Sequence, residues 1–216
     1  MIDWKIFDTT MRPDVEPAVD FLNRILRSAG LKWQRNHYTG DIIEDPVSSV
    51  SKYNKLYIGK YIRTPLHLLV IDNLYPATMR RYARELGNDA FFNFYSAVLD
   101  EYHWLPANIK PKVKYFLNIA FGCANNKDSL LQCRPDLRNF ITSKARELLL
   151  QLYDHGGIYA HTDTVIFGED FKAPVVNHLG DYRYTLTKHT DGIIIGPRQY
   201  ILGINADKMQ WKEHTR

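Results

Sequence analysis

The sequence predicts an α+β protein built on an antiparallel sheet. Three observations carry this. Apolar residues recur at helical spacing around 16–29 and through much of 77–153. Gly157 to Phe167 has the form of a β-hairpin, with two short apolar runs around a polar tip. The last third of the chain then returns to strand-like runs. One strand before the helices and several after them point to antiparallel neighbours rather than repeated βαβ units.

Residues 1–15 read as irregular. In Glu16–Ala29, Val19, Leu22, Ile25, Leu26 and Ala29 share one side of a helix that Gly30 stops. Gly40, Asp45 and Pro46 make 31–50 turn-rich. Residues 52–63 alternate base and aromatic (Lys52, Tyr53, Lys55, Tyr57, Lys60, Tyr61, Arg63), which reads as an exposed strand with tyrosines on its half-buried face. Phosphate contact combined with base stacking would use the same mixture. Leu66–Ile71 is apolar except for His67 and predicts a buried strand ending at Asp72-Asn73-Leu74-Tyr75-Pro76. A helix over Ala77–Leu86 carries Arg80, Arg81 and Arg84 on its polar side, and Gly87 closes it. Asp89–Tyr102 reads as an aromatic-rich helix. Pro106 and Pro111 precede another over Lys112–Phe121. Residues 123–136 read as a loop. Asn139–Tyr153 is helical and leads through Gly156-Gly157 into the hairpin. Tyr182–Leu186, Ile193–Ile195 and Gln199–Ile204 have strand character.

Composition sets limits on function. With 45% hydrophobic residues in 216, the chain can bury a core, which excludes a disordered polypeptide. A net charge of +4 is compatible with nucleic acid without singling it out. Cys123 and Cys133 form no Cys-x-x-Cys pair, which argues against a zinc or disulfide framework and fits an intracellular setting. No apolar run approaches the ~18 residues of a membrane span, and the N-terminus lacks a secretory apolar core.

The hairpin tip is His161-Thr162-Asp163-Thr164. A carboxylate there can hold a metal ion, because the flanking strands fix its direction. Four blocks occur in one order: Asp72-Asn73-Leu74-Tyr75-Pro76-Ala77; Lys114-x-x-x-Asn118-Ile119-Ala120-Phe121-Gly122; Phe140-Ile141-Thr142-Ser143-Lys144-Ala145-Arg146; and the hairpin. In this order and spacing the chain resembles the palm of family B DNA polymerases, closest to the protein-primed phage and organellar-plasmid branch. The family's corresponding elements read Asp-x-x-Ser-Leu-Tyr-Pro, Lys-x-x-x-Asn-Ser-x-Tyr-Gly, a helix before the hairpin, and Tyr-x-Asp-Thr-Asp-Ser. Arg198-Gln199-Tyr200 is similar to the Lys-x-Tyr that touches primer DNA. Tyr57-Ile58-Gly59-Lys60 is similar to a Tyr-x-Gly-Gly/Ala element upstream of the palm.

The resemblance implies a palm over 57–204 with minimal fingers, an N-terminal segment 1–56 and a tail 205–216. Neither a thumb nor an exonuclease domain is expected. It also implies two-metal nucleotidyl transfer, with Mg2+ or Mn2+ if the site is active and no cofactor otherwise. Asp163 and Asp72 would be the catalytic and metal-binding carboxylates. Lys114 would neutralise triphosphate charge, Tyr75 would lie under the sugar, and Asn118 and Phe121 would line the nascent base pair. Arg198, Tyr200, Tyr57 and Lys60 would touch nucleic acid. DNA or RNA is the implied partner, within a larger protein assembly or beside a chain supplying the missing thumb and exonuclease. A phage- or organelle-encoded origin is implied.

Two positions depart from the pattern. Counting back from Leu74-Tyr75-Pro76, the family's aspartate falls on Val70. The carboxylate here is Asp72, on the same strand face but roughly 6–7 Å further along unless the strand bulges or shifts. His161 replaces the hairpin's first aspartate and reads as a surface histidine; imidazole in a metal site would favour manganese over magnesium. Three readings follow: a palm with crippled catalysis kept for nucleic-acid binding or docking; a working minimal or split DNA polymerase; and a structural component of a phage or organellar assembly, docking through exposed Phe91, Phe92, Phe94 and Tyr95.

Overall fold

The computed structural model describes residues 2–7, 17–31, 40–44, 50–171, 179–196 and 198–204. Residues 8–16, most of the turn-rich region 31–50 and the tail 205–216 lie outside the described residues; within the stretch expected to be irregular, Trp4–Phe7 forms a 3-10 turn whose Phe7 is buried. The chain is α+β, with five α-helices and two antiparallel sheets among the described residues. It divides into two compact units, each made of two stretches: Met1–Pro46 with Tyr75–Ile141, and Val47–Leu74 with Thr142–Arg216.

The first unit is helical. It contains α1 (Ala18–Ser28), α2 (Leu74–Arg81), α3 (Asp89–Glu101), α4 (Lys110–Cys123) and the start of α5 (Leu137–Asp154). α1 buries Leu22, Ile25 and Leu26 of the predicted stripe together with Phe21, which was not expected there, while Val19 and Ala29 are half-buried. α2 begins three residues earlier than expected, because proline is tolerated in a first helical turn and Pro76 sits there. It ends at Arg81, and a separate 3-10 turn covers Ala83–Glu85. α3 starts where the Asn88 side chain accepts from the Phe91 N–H at 3.2 Å. The aromatic cluster expected as a docking patch is core instead: Phe91, Phe92 and Tyr95 are each at most 2% exposed and Phe94 is half-buried. Tyr95 can be buried because its hydroxyl donates to the Leu117 carbonyl at 2.8 Å. Phe94 and Tyr95 both meet the Phe116 ring.

The loop before α5 is fastened by a buried ion pair. Arg134 donates to both Asp136 oxygens, at 2.6 and 2.9 Å, and to the Asp41 carbonyl at 2.8 Å. Its guanidinium lies 3.8 Å from the Phe140 ring centre. Asp136 also accepts from the Ile43 N–H at 2.7 Å. Burial pushes the Asp136 carboxyl up, but these hydrogen bonds and the arginine charge outweigh it and hold the group below the usual carboxylate range.

The second unit holds both sheets. The larger has strand order β1 (Ser51–Tyr53), β4 (Gly157–His161), β5 (Thr164–Phe167), β3 (Leu66–Ile71), β6 (Tyr184–His189). The smaller pairs β2 (Tyr61–Ile62), β7 (Gly192–Gly196) and β8 (Gln199–Leu202) in the order β2-β7-β8. The segment 52–63 is therefore not one exposed strand. The Asn54 side chain caps a 3-10 turn over Lys55–Tyr57, and Gly59 at φ 69° redirects the chain into the second sheet. Ile62, Leu66, Ile158, Tyr159, Ile166 and Ile194 form the core of this unit, with Leu68, Tyr200 and Leu202 packed on it. At β4's start, a Cβ on Gly157 would lie 2.7 Å from the Tyr153 Cα, so only glycine fits there.

Candidate functional site

β4 and β5 are joined by the two-residue loop Thr162-Asp163, closed by the His161–Thr164 pair. Thr162 takes φ 52°, a conformation that two-residue hairpin loops demand. The tip is anchored on both flanks. Thr162 N–H donates to the Val50 carbonyl at 3.1 Å, and Ile71 N–H donates to the Asp163 carbonyl at 2.8 Å. The Asp163 carboxylate accepts from the Thr164 hydroxyl at 3.1 Å.

Register decides what stands beside Asp163. β3 and β5 pair without interruption from His67–Phe167 to Val70–Thr164, and β3 pairs with β6 equally regularly. No bulge shifts the strand to bring Asp72 back. Because paired residues project to the same face, His161, Thr164 and Val70 form one row across β4, β5 and β3. Val70 thus stands in that row, facing Thr164, the residue after Asp163. Asp72 lies past the last paired residue, where its N–H donates to the Arg183 carbonyl at 2.9 Å. Both aspartates are half-buried. Among the described residues, no group of three or more His, Cys, Asp or Glu side chains could hold a metal ion.

β8 brings further side chains onto this row. The Tyr200 hydroxyl is hydrogen-bonded to the Thr164 side chain. Burial raises its pKa, the Thr164 bond opposes that, and the Asp163 charge adds to it. Arg198, at φ 67° in the β7–β8 turn, donates its N–H to the Tyr159 hydroxyl at 3.0 Å. Burial pushes the Tyr159 hydroxyl up to about 12. Tyr159 and Tyr200 meet edge-to-face at 5.6 Å. His161 has its pKa lowered, first by burial and then by the Arg198 charge, against the raising effects of Asp163 and the Val50 carbonyl. Asp163, Tyr200 and Arg198 therefore meet around the hairpin, together with Tyr159, Thr164 and His161. Tyr159 and Thr164 had no expected role, although alternation along β4 puts Tyr159 on the His161 face and the hairpin pairing puts Thr164 opposite His161. Tyr57 packs against the core between the sheets and Lys60 is exposed. Among the described residues, no hydrogen bond or ring contact joins either to the tip.

The helical unit gathers the other four predicted residues. α4 buries Val113, Phe116, Leu117 and Ala120 completely, so Lys114 and Asn118 emerge one turn apart on the opposite side and are exposed. Phe121 continues that side almost one turn further and is half-buried. Tyr75, in the first turn of α2, stacks on it with ring centres 5.3 Å apart and planes 12° from parallel. A cation, an amide and a paired aromatic face thus follow one another along α4. This arrangement can take a phosphate at one end and a flat ring at the other.

No family model matches the chain, and no curated protein matches it. No described helix is long and apolar enough to cross a membrane.

Proposed function

We propose that this chain is a palm-like domain of the family B polymerase kind, with crippled metal chemistry, retained to bind nucleic acid. One observation carries the reading. In an unslipped β3–β5 register, Val70 pairs with Thr164, the residue after Asp163, and the palm resemblance expects a second metal carboxylate at position 70. Around that gap, the side chains suited to holding a polynucleotide remain. Arg198 is exposed for phosphate, and Tyr200 lies against Thr164 and Asp163. Losing a metal carboxylate removes charge stabilisation of the attacking and leaving oxygens and leaves such binding groups in place.

The test is DNA binding and primer extension on the same protein. Expected are salt-sensitive binding of single-stranded and primer–template DNA and no extension with Mg2+ or Mn2+. Arg198→Ala should lower the slope of log affinity against log salt by about 1. Binding that is absent or indifferent to salt would overturn the reading.

A second reading, a working minimal or split DNA polymerase, is favoured by the α4 face. Lys114, Asn118, Phe121 and the stacked Tyr75 form an open row that a non-catalytic binder does not need. Extension that disappears in Asp163→Asn would establish it in place of the first.

A further inference from the structure

We propose that the outer edge of β6 pairs antiparallel with β6 of a second copy of this chain, in a two-fold register centred on Leu186. The proposal stands apart from the nucleic-acid reading and does not depend on it.

β6 closes one side of the five-stranded sheet, and among the described residues no strand pairs with its outer edge. Tyr184, Thr185, Leu186, Thr187 and Lys188 are all exposed, so both faces of the strand are open. Tyr184 is 40% and Leu186 39% exposed, large side chains on a strand with one neighbour. Such an edge is a template for another strand. The ladder fixes which of its peptide groups are available. The Asp72 N–H donates to the Arg183 carbonyl at 2.9 Å, and β6 pairs with β3 without interruption from Tyr184 to His189. Hydrogen-bonded and non-hydrogen-bonded pairs alternate along an antiparallel ladder. Arg183, Thr185 and Thr187 therefore turn their peptide groups towards β3, and Tyr184, Leu186 and Lys188 turn theirs outward.

A second β6 matches this pattern. Two antiparallel copies can bond only where outward groups meet outward groups, which excludes every register that opposes odd- to even-numbered residues. The register centred on Leu186 satisfies all the outward positions: Leu186 faces its own copy, and Tyr184 faces Lys188 on either side. Sliding the copy one step leaves Tyr184 or Lys188 without a β6 partner. The side chains agree with this register. Leu186 meets Leu186 in an apolar cross-strand pair, and on the other face Thr185 meets Thr187. A lysine on an edge normally discourages pairing, but here each ammonium reaches a tyrosine ring instead of another charge. Arg183 comes opposite His189. Burial lowers the His189 pKa, against the Asp191 charge, so the ring is neutral at pH 7. One strand pair is a small contact, so the dimer is weak, with a dissociation constant on the order of 100 μM.

The experiment is sedimentation equilibrium of the full chain between about 10 μM and about 1 mM, with amide hydrogen exchange at both ends of that range. Expected are a monomer–dimer equilibrium and, on dilution, loss of protection at the Tyr184, Leu186 and Lys188 amides while Thr185 and Thr187 stay protected by β3. Leu186→Lys, at an exposed position, should weaken dimerisation by about tenfold or more, because two ammonium groups then face each other at the axis. Leu186→Lys mixed with Leu186→Glu should form a heterodimer at least about tenfold tighter than either variant alone. A native chain that stays monomeric at about 1 mM would overturn the proposal. So would a dimer that Leu186→Lys leaves intact, which must use another surface. Exchange at Tyr184, Leu186 and Lys188 that ignores concentration would overturn it too, since no second copy then covers the edge; this measurement needs no variant to fold.

Discussion

Replacing Val70 by aspartate should make the stability of this protein depend on divalent cations. Val70 pairs with Thr164, and the Asp163 carboxylate accepts from the Thr164 hydroxyl. Position 70 faces Thr164, and Asp163 is the next residue along the hairpin, so the two carboxylates would lie roughly 7 Å apart. Two unit charges at about 7 Å repel by ~2 kcal/mol at an effective dielectric of 20, and by ~0.6 kcal/mol in bulk water. Both positions are half-buried, so Val70→Asp in EDTA should cost ~0.6–2 kcal/mol from repulsion, beyond the lost valine packing. A cation held between the carboxylates reverses the sign. At a hundred times its dissociation constant it returns about 2.7 kcal/mol. The assay is urea unfolding of the native chain and of Val70→Asp, each in EDTA and in millimolar Mg2+ or Mn2+. The expected result is a large cation-dependent gain in the variant that exceeds any gain in the native chain. Equal destabilisation of Val70→Asp with and without cation would refute the placement of position 70 beside Asp163.

Arg134→Ala should destabilise the helical unit by about 3–5 kcal/mol in urea unfolding, because it leaves the buried Asp136 carboxylate without its guanidinium. The same pair sets an acid limit. The Asp136 pKa is depressed by folding, so its contribution is full above the unfolded carboxylate value and is lost as pH falls through the lower folded value. Arg134→Ala should therefore flatten the acid side of the stability profile. Gly192→Ala should cost about 1–3 kcal/mol or more, since its Cβ would lie 2.7 Å from the Ile201 carbonyl oxygen and 2.9 Å from Leu66 Cδ1; an unchanged melting temperature would contradict that packing. Lys114→Ala leaves α4 intact because the side chain is exposed and alanine favours helix, yet it should weaken binding of a fluorescent nucleoside triphosphate by about 1 kcal/mol or more. Equal affinity would remove Lys114 from the candidate nucleotide face.

Regular patterns made much of this fold legible. The α1 stripe, the β3 run and the hairpin all obey periods of 3.6 or 2, and each element formed within a few residues of its expected bounds. Phe91, Phe92 and Tyr95 were misread because aromatic density alone does not tell a docking face from a core. The hydroxyl–carbonyl bond that buries Tyr95 joins residues 22 apart in sequence. Segment 52–63 was misread because one side-chain cap and one positive-φ glycine split it between two sheets. Strand alternation did anticipate that Asp72 would fall one pleat beyond Val70. The bond from the Thr162 N–H to the Val50 carbonyl depends on the β1 end lying beside the hairpin tip, a long-range placement that no local pattern encodes.

The interleaving of the two units has a practical consequence for any shortened version of this protein. A fragment starting at residue 57 would match the polymerase-like stretch of the sequence but would lack Ser51–Tyr53. β4 would then lose its outer neighbour, and the backbone groups of Gly157–His161 that pair with β1 would face solvent. That new margin carries Ile158 and Tyr159, apolar and β-prone, and would invite strands from other molecules. Lys52, which reaches Asp154 at 2.8 Å and covers the Tyr153 ring, would go with it. Ser51–Tyr53 thus cover the outer edge of the β4–β5 hairpin, and a fragment without them should self-associate more readily than the full chain.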